Sequence, residues 1–171
     1  MREVVKLEVI HGDITKVSTD AIVNAANRAL LGGGGVDGAI HRAAGPDLLY
    51  ACRKLNGCDT GDAKATPGFR LPAKWIFHAV GPVWSGGERD EERLLASCYR
   101  SCLQLAHDHQ VKSIAFPAIS TGIYGFPSEP AAEIAVATVR EYAESSGVER
   151  VIFVCFDQGT EAIYERLLQM Q

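Results

Sequence analysis

Four consecutive glycines, at residues 32–35, lie between a short apolar run at residues 21–23 and a segment of helical character at residues 39–44. Glycine weakens any helix or strand that it enters, so this cluster has no good packing purpose. It does allow the backbone to approach a ligand closely and to turn several N–H groups toward it. Such a nest at the N-terminus of a helix suits an oxygen-rich anion, for example a phosphate.

Four polar side chains surround this glycine loop: Asn24, Asn27, Asp37 and His41. Asp37 and His41 are four residues apart, so they share a face of any helix that begins there. A carboxylate inside an anion-binding loop indicates chemistry on a phosphate-containing substrate rather than binding alone. The local sequence also allows a structural interpretation, in which the asparagines tie loops together and His41 only supports the fold.

A second loop, at residues 118–127, follows a short apolar strand and precedes a helix, as the glycine loop does. In an α/β sheet both loops then lie at the carboxyl ends of their strands, where ligands bind. The second loop offers hydroxyl groups, glycine N–H groups and aromatic rings, which belong to Ser120, Thr121, Gly122, Gly125, Tyr124 and Phe126. We expect the two loops together to clamp a diphosphate.

Two further residues follow predicted strands. Asp13 is either an ordinary turn aspartate or a carboxylate that accepts a hydrogen bond from the exocyclic amino group of a base. Phe156 closes the last predicted strand, where its ring either belongs to the core or packs flat on the same base.

Hydrophobic periodicity predicts alternating strands and helices, which implies a sheet covered on both faces. The predicted strands occupy residues 4–10, 21–24, 63–66, 75–80, 113–117 and 151–156. The predicted helices occupy residues 39–44, 47–54, 91–109, 128–145 and 158–169. Ser128 is a suitable N-cap for the fourth helix.

Composition restricts the function. A chain of 171 residues fits one domain, and its net charge of −4 argues against strong nucleic-acid binding, which needs a basic face. No apolar run approaches about 18 residues, and the charged first residues are unlike a signal peptide, so we expect a cytoplasmic location and no membrane partner. The five cysteines match neither a zinc motif nor a disulfide framework and are expected to be buried.

The glycine loop also contains the pattern Gly33-x-Gly35-x-x-Gly38, which matches the dinucleotide-binding fingerprint of nicotinamide oxidoreductases. That fingerprint begins directly at a strand end, whereas residues 24–31 intervene here. The acidic residue expected about 20 positions later would fall in a segment rich in turn residues. A phosphate cradle without a Rossmann cofactor is therefore the preferred interpretation.

Four motifs together resemble the macro domain family, of the MacroD type. They are Gly12-Asp-Ile-Thr15, Ile22-Val-Asn-Ala-Ala-Asn27, the run from Gly32 to Gly45, and Ile119-Ser-Thr-Gly-Ile-Tyr-Gly-Phe-Pro127. The resemblance covers essentially the whole chain and is strongest to bacterial O-acetyl-ADP-ribose deacetylases. It implies a single macro domain over residues 1–171, folded as a three-layer α/β/α sandwich around a mixed, mostly parallel six-stranded sheet.

The resemblance also implies a role for each matching residue. Asp13 corresponds to the adenine-selecting aspartate, with the Ile14 backbone beside it, and Asn27 to the asparagine that holds the distal ribose. Asp37 corresponds to the catalytic aspartate, while His41 and Asn24 match positions implicated in activity. The two phosphate loops correspond to Gly34, Gly35 and Val36, and to Ser120, Thr121, Gly122, Ile123 and Tyr124. Tyr124 is also expected to border the distal ribose, and Phe156 the adenine.

The implied activity is hydrolysis of ADP-ribose esters, with O-acetyl-ADP-ribose and mono-ADP-ribosylated proteins as substrates. No cofactor and no metal are expected, because the cysteine and histidine set of the zinc-bearing macro domains is missing. Two alternatives belong to other classes: a non-catalytic ADP-ribose-binding module, which lacks a use for Asp37, and a nicotinamide-dependent oxidoreductase.

Overall fold

A computed structural model describes residues 4–170 and contains one six-stranded sheet with helices on both faces. The strands are β1 (Lys6–His11), β2 (Ala21–Ala26), β3 (Ala63–Pro67), β4 (Trp75–Val80), β5 (Ser113–Phe116) and β6 (Arg150–Cys155). The helices are α1 (Gly35–Ala44), α2 (Asp47–Lys54), α3 (Glu91–Asp108), α4 (Ser128–Ser146) and α5 (Gln158–Gln169), and a 3-10 turn spans Ile14–Lys16. The predicted α/β/α fold with a mixed sheet is confirmed.

The strand order across the sheet is β1-β6-β5-β2-β4-β3, and only the β3–β4 pair is antiparallel. The carboxyl ends of the five parallel strands therefore meet at one edge of the sheet. This edge carries Asp13 after β1, both loops after β2 and β5, and Phe156 after β6. The topology thus brings together the four segments in which the sequence placed its candidate residues.

Two hydrophobic cores lie on opposite faces of the sheet, because successive residues of a strand point to opposite sides. Ile22 and Ile76 belong to the core beneath α1 and α2, whereas Val23 and Phe77 belong to the core beneath α3, α4 and α5. By the same alternation Asn24 and His78, which are register partners on β2 and β4, face the α1 side.

The structure corrects two details of the predicted helices. Helix α1 begins at Gly35, four residues before the predicted start, and so includes Gly35 and Gly38 although glycine has a low helix propensity. Ser128 is the first residue of α4 rather than its N-cap. Pro127 occupies the cap position and makes no side-chain hydrogen bond there.

Several other features can be compared with expectation. All five cysteines are free and buried, as predicted. Within residues 4–170, no helix has the length and apolar character to cross a membrane. The expectation about a signal peptide concerns the first residues of the chain, and residues 1–3 lie outside the described part.

Candidate active site

The glycine loop and the second loop line one cavity of about 240 Å³ at the carboxyl edge of the sheet. The lining residues include Asn27, Gly34, Gly35, Val36, Asp37, Ser120, Gly122, Ile123 and Tyr124. Nine of the predicted site residues therefore share one cavity. This arrangement follows from β2 and β5 being neighbours in the sheet, so that the loops after them lie side by side.

The N-terminus of α1 opens into this cavity. Gly34 is its N-cap and supplies no side-chain hydrogen bond, so the first N–H groups of the helix remain available to a ligand. Gly35 has a φ of +57°, a left-handed conformation that favours glycine over residues with a side chain. A helix N-terminus with free N–H groups and partial positive charge is suited to an anion.

Asn27 stabilises the loop that leads to α1. Its Nδ2 donates to the Gly32 carbonyl over 3.0 Å, and its Oδ1 accepts from the Leu30 N–H over 3.1 Å. The structural interpretation of this asparagine is therefore supported. Its side chain nevertheless lines the cavity, so a ligand contact stays compatible with these two bonds.

Ser120, one of the predicted residues of the second loop, has a strained backbone that the sequence did not reveal. Ser120 has a φ of +68°, which is uncommon for any residue other than glycine, and its buried Oγ has no hydrogen-bond partner among the described residues. Gly81 permits this placement, since a Cβ there would lie 2.1 Å from Ser120 Oγ. Strain and an unpaired polar atom commonly mark a ligand-binding position.

Asp37 is the buried carboxylate of the site. It is 5% exposed, and its Oδ1 accepts a hydrogen bond of 2.8 Å from Asn24 Nδ2. His41 Nε2 lies 3.4 Å from the same oxygen without hydrogen-bond geometry. The prediction that Asp37 and His41 share a helix face is confirmed. Asp37 Oδ2, Asn24 Oδ1 and His41 Nε2 are all buried and have no partner within the described chain.

His78, to which the sequence assigned no role, lies directly behind this group. Its Nδ1 is 3.1 Å from Asn24 Nδ2, and its Nε2 is 2.9 Å from Thr66 Oγ1. Burial, together with the nearby His41, lowers the pKa of His78 to about 3, so the imidazole is neutral at ordinary pH. A single histidine in the otherwise apolar centre of β4 was the signal that could have revealed it.

Asp13 and Phe156 lie at the carboxyl ends of β1 and β6, which are neighbours. His11 Nε2 is 3.0 Å from the Phe156 carbonyl and connects the two strand ends. Asp13 Oδ1 accepts from both the N–H and the hydroxyl of Thr15, and these bonds hold the pKa of the Asp13 carboxyl below its usual value. The turn interpretation is thus supported, while Oδ2 makes no hydrogen bond to the described residues.

The two aromatic residues that were expected to contact a ligand differ in their exposure. Phe156 is 89% exposed, so it is not a core residue and its ring face is open to a planar ligand. Phe126 was predicted to offer its ring to a ligand, and this is wrong, because the ring is 1% exposed and packs against Trp84. Thr121 does not line the cavity, and Ile14 is a core residue that is only 3% exposed.

Comparison with known proteins identifies the family. The model of the macro domain family matches residues 23–135, which include both loops. A protein from Salmonella gallinarum named O-acetyl-ADP-ribose deacetylase is 56% identical over 171 residues, covering 97% of this chain and 96% of that protein. The chain therefore belongs to the macro domain family.

Solved structures agree with this assignment. The Oceanobacillus iheyensis macrodomain with ADP has a TM-score of 0.91 and 46% identity, covering 95% of this chain and 90% of that one. The Trypanosoma brucei macrodomain in complex with ADP-ribose has a TM-score of 0.89 and 45% identity, covering 95% of this chain and 68% of that one.

Mutants of the Oceanobacillus iheyensis macrodomain have also been solved. They replace an asparagine, a glycine seven residues later and an aspartate three residues beyond that, which is the spacing of Asn27, Gly34 and Asp37 in this chain.

The neutral buried state of His78 predicts a specific pH dependence of stability. The unfolded chain binds a proton on this histidine below about pH 6.5, whereas the folded chain does not until about pH 3. Folding stability conferred by His78 is therefore lost as the pH falls through this window, by roughly 1.4 kcal/mol per pH unit. We expect the free energy of unfolding of the wild type, measured relative to that of His78→Leu, to decrease between pH 7 and pH 4.5. Denaturant titrations of both proteins at each pH measure this difference.

Ile76→Val is the matched control, because it changes the same face of β4 without removing a titratable group. Its difference from the wild type should be independent of pH. A constant difference for His78→Leu as well would show that the folded protein protonates this histidine readily.

Proposed function

We propose that this macro domain hydrolyses ADP-ribose esters. It deacetylates O-acetyl-ADP-ribose to ADP-ribose and acetate, and it removes mono-ADP-ribose from acidic side chains of proteins. The observation that carries the proposal is the buried carboxylate of Asp37, which lines an anion-binding cavity with its Oδ2 unpaired. The relative from Salmonella gallinarum, named as a deacetylase, supports the first activity.

The ligand is proposed to extend along the carboxyl edge of the sheet. Its adenine stacks on Phe156 beside Asp13 and the Ile14 backbone, at the ends of β6 and β1. The diphosphate lies between the two loops, where backbone N–H groups and hydroxyls replace cationic side chains. The distal ribose then reaches Asn27 and Asp37 at the end of β2. Solved relatives containing ADP and ADP-ribose support this class of ligand.

Hydrolysis requires a water molecule that is oriented toward the ester. In the proposed mechanism Asp37 Oδ2 accepts a hydrogen bond from this water and withdraws its proton as the water attacks. The hydroxyl of the water joins the attacked carbon, and a proton reaches the departing oxygen. Asn24 donates a hydrogen bond to the other oxygen of Asp37, and His41 Nε2 lies 3.4 Å from that oxygen.

Positioning contributes much of the rate enhancement in this mechanism, because an ordinary aspartate has a pKa near 3.9 and is a weak base. General-base assistance of this kind contributes about 10²–10⁴-fold. Fixing the ester at both its phosphate and its ribose end converts the attack into an oriented, nearly unimolecular step.

A non-catalytic ADP-ribose-binding module is the alternative from a different class. Such a module uses the same two loops but gains nothing from a buried carboxylate beside an anionic ligand. Incubation with O-acetyl-ADP-ribose and measurement of released acetate separates the two. ADP-ribose binding without acetate release would favour the binding module.

Asp37→Ala is expected to reduce acetate release by at least about 100-fold, the usual scale for losing a general base. The affinity for ADP-ribose should be unchanged or higher, because a negative charge near the diphosphate is removed. Single-turnover kinetics and calorimetry measure the two quantities separately. Near wild-type hydrolysis by this variant would exclude Asp37 as the base.

Asp13 is expected to select adenine over guanine. Its free Oδ2 can accept from the adenine amino group but would face the carbonyl oxygen of guanine, which is another acceptor. Calorimetry should show ADP-ribose binding at least about tenfold more tightly than GDP-ribose, the scale of one unpaired polar contact. Asp13→Asn retains an acceptor for Thr15 and should reduce the ratio of the two affinities. Equal affinities of the wild type for ADP-ribose and GDP-ribose would show that Asp13 has only a structural role in its turn.

Gly35→Val is expected to weaken ADP-ribose binding by about tenfold or more, because valine is strained at a φ of +57° and would distort the loop. Gly34→Val is the matched control, since Gly34 has a φ of −94° and no atom lies within 4 Å of a Cβ built there. The Gly-to-Val mutant of the Oceanobacillus iheyensis macrodomain, whose position corresponds by spacing to Gly34, has been solved with ADPR. Equal effects of the two substitutions would contradict the role of the left-handed conformation.

A further inference from the structure

A chain of buried hydrogen-bonding groups runs from α1 across three neighbouring strands. Asp37 on α1 accepts from Asn24 on β2, Asn24 contacts His78 on β4, and His78 contacts Thr66 on β3. All four residues are at most 5% exposed. Burying polar groups in a core is costly unless they are paired, so this row is not explained by packing alone.

The carboxylate of Asp37 determines the direction of every bond in this row. A carboxylate only accepts, so Asn24 must present its Nδ2 to Asp37 rather than its carbonyl oxygen. The same Nδ2 then directs its second hydrogen toward His78 Nδ1, which must accept it. A neutral imidazole with an acceptor at Nδ1 carries its proton on Nε2, and that proton points to Thr66 Oγ1.

The row also fixes the geometry of Asn24. Rotating its amide by half a turn would place Oδ1 against both the carboxylate of Asp37 and the lone pair of His78 Nδ1. The observed orientation leaves Asn24 Oδ1 and Asp37 Oδ2 as the buried atoms without partners. Which two atoms stay unpaired is thus determined by a residue that lies behind the site.

We propose that His78 is a positioning residue for the hydrolytic reaction: its Nδ1 fixes the amide of Asn24, and that amide fixes the carboxylate of Asp37. This inference rests on the proposed function. His78 itself does not line the cavity. Its loss therefore acts on turnover and not on ligand binding.

His78→Leu and His78→Asn form a matched pair for the test. Leucine and asparagine have nearly the same size and shape, so both variants leave a similar cavity in place of the imidazole. Only asparagine can present an oxygen acceptor near the position of Nδ1. We expect His78→Leu to lower kcat for acetate release by roughly tenfold or more, the scale of one buried donor without an acceptor. The kcat of His78→Asn should be at least about threefold higher than that of His78→Leu. Neither variant should change the Kd for ADP-ribose by more than about twofold.

Equal losses of kcat in the two variants, or a parallel loss of ADP-ribose affinity, would overturn the proposal and leave His78 a packing residue. The absence of acetate release by the wild type would instead contradict the proposed function. Circular dichroism confirms that each variant is folded before its kinetics are compared.

A measurement on the unmodified protein tests the same proposal without activity. The ¹⁵N chemical shifts of His78 in labelled wild-type protein should report a neutral ring protonated on Nε2 between pH 6 and pH 8. A ring protonated on Nδ1 would donate to Asn24 rather than accept from it, and that result would overturn the proposed bond directions even if the Leu variant failed to fold.

Discussion

The burial of Asp37 is the constraint on which the rest of the site depends. A charged carboxylate taken out of water costs several kcal/mol unless its surroundings compensate it. No Lys or Arg forms an ion pair with Asp37 within the described residues, so compensation comes from the N-terminal turn of α1 and from Asn24. Helix α1 must therefore begin just before Asp37, and the glycine loop is the segment that allows it to do so.

The parallel pairing of β2 with β4 supports Asn24, the residue that donates to Asp37. Their register places Asn24 opposite His78, and strand alternation directs both side chains to the α1 face. The antiparallel β3 then adds Thr66 on the same face, where its hydroxyl oxygen lies 2.9 Å from His78 Nε2. A polar row in an apolar core is stable here because its members are in hydrogen-bond contact with one another.

The sequence allowed prediction of what depends on local pattern, and failed where distant residues meet. Asp37 and His41 are four residues apart on one helix, so their contact could be foreseen. The contact between His78 and Asn24 could not be foreseen, because the two residues are 54 positions apart and become neighbours only through the sheet order. Phe126 was misjudged for a similar reason: an aromatic residue in a loop gives no local sign of whether another ring, here Trp84, covers it.

The order of strands also separates the proposed base-binding residues from the proposed catalytic ones along the edge. Adjacent strands lie about 4.8 Å apart, so the ends of β1 and β2, which are three strand spacings apart in the sheet, are separated by roughly 14 Å. A ligand with a base at one end and a ribose at the other can span this distance, with its diphosphate over the loop after β5. The β2 end adjoins β4, which in turn pairs with β3, and these two strands carry His78 and Thr66, the buried groups behind Asn24. A carboxylate at the β1 end, such as Asp13, is exposed and bonded within its own turn, so it can select a ligand but has no comparable row of groups behind it.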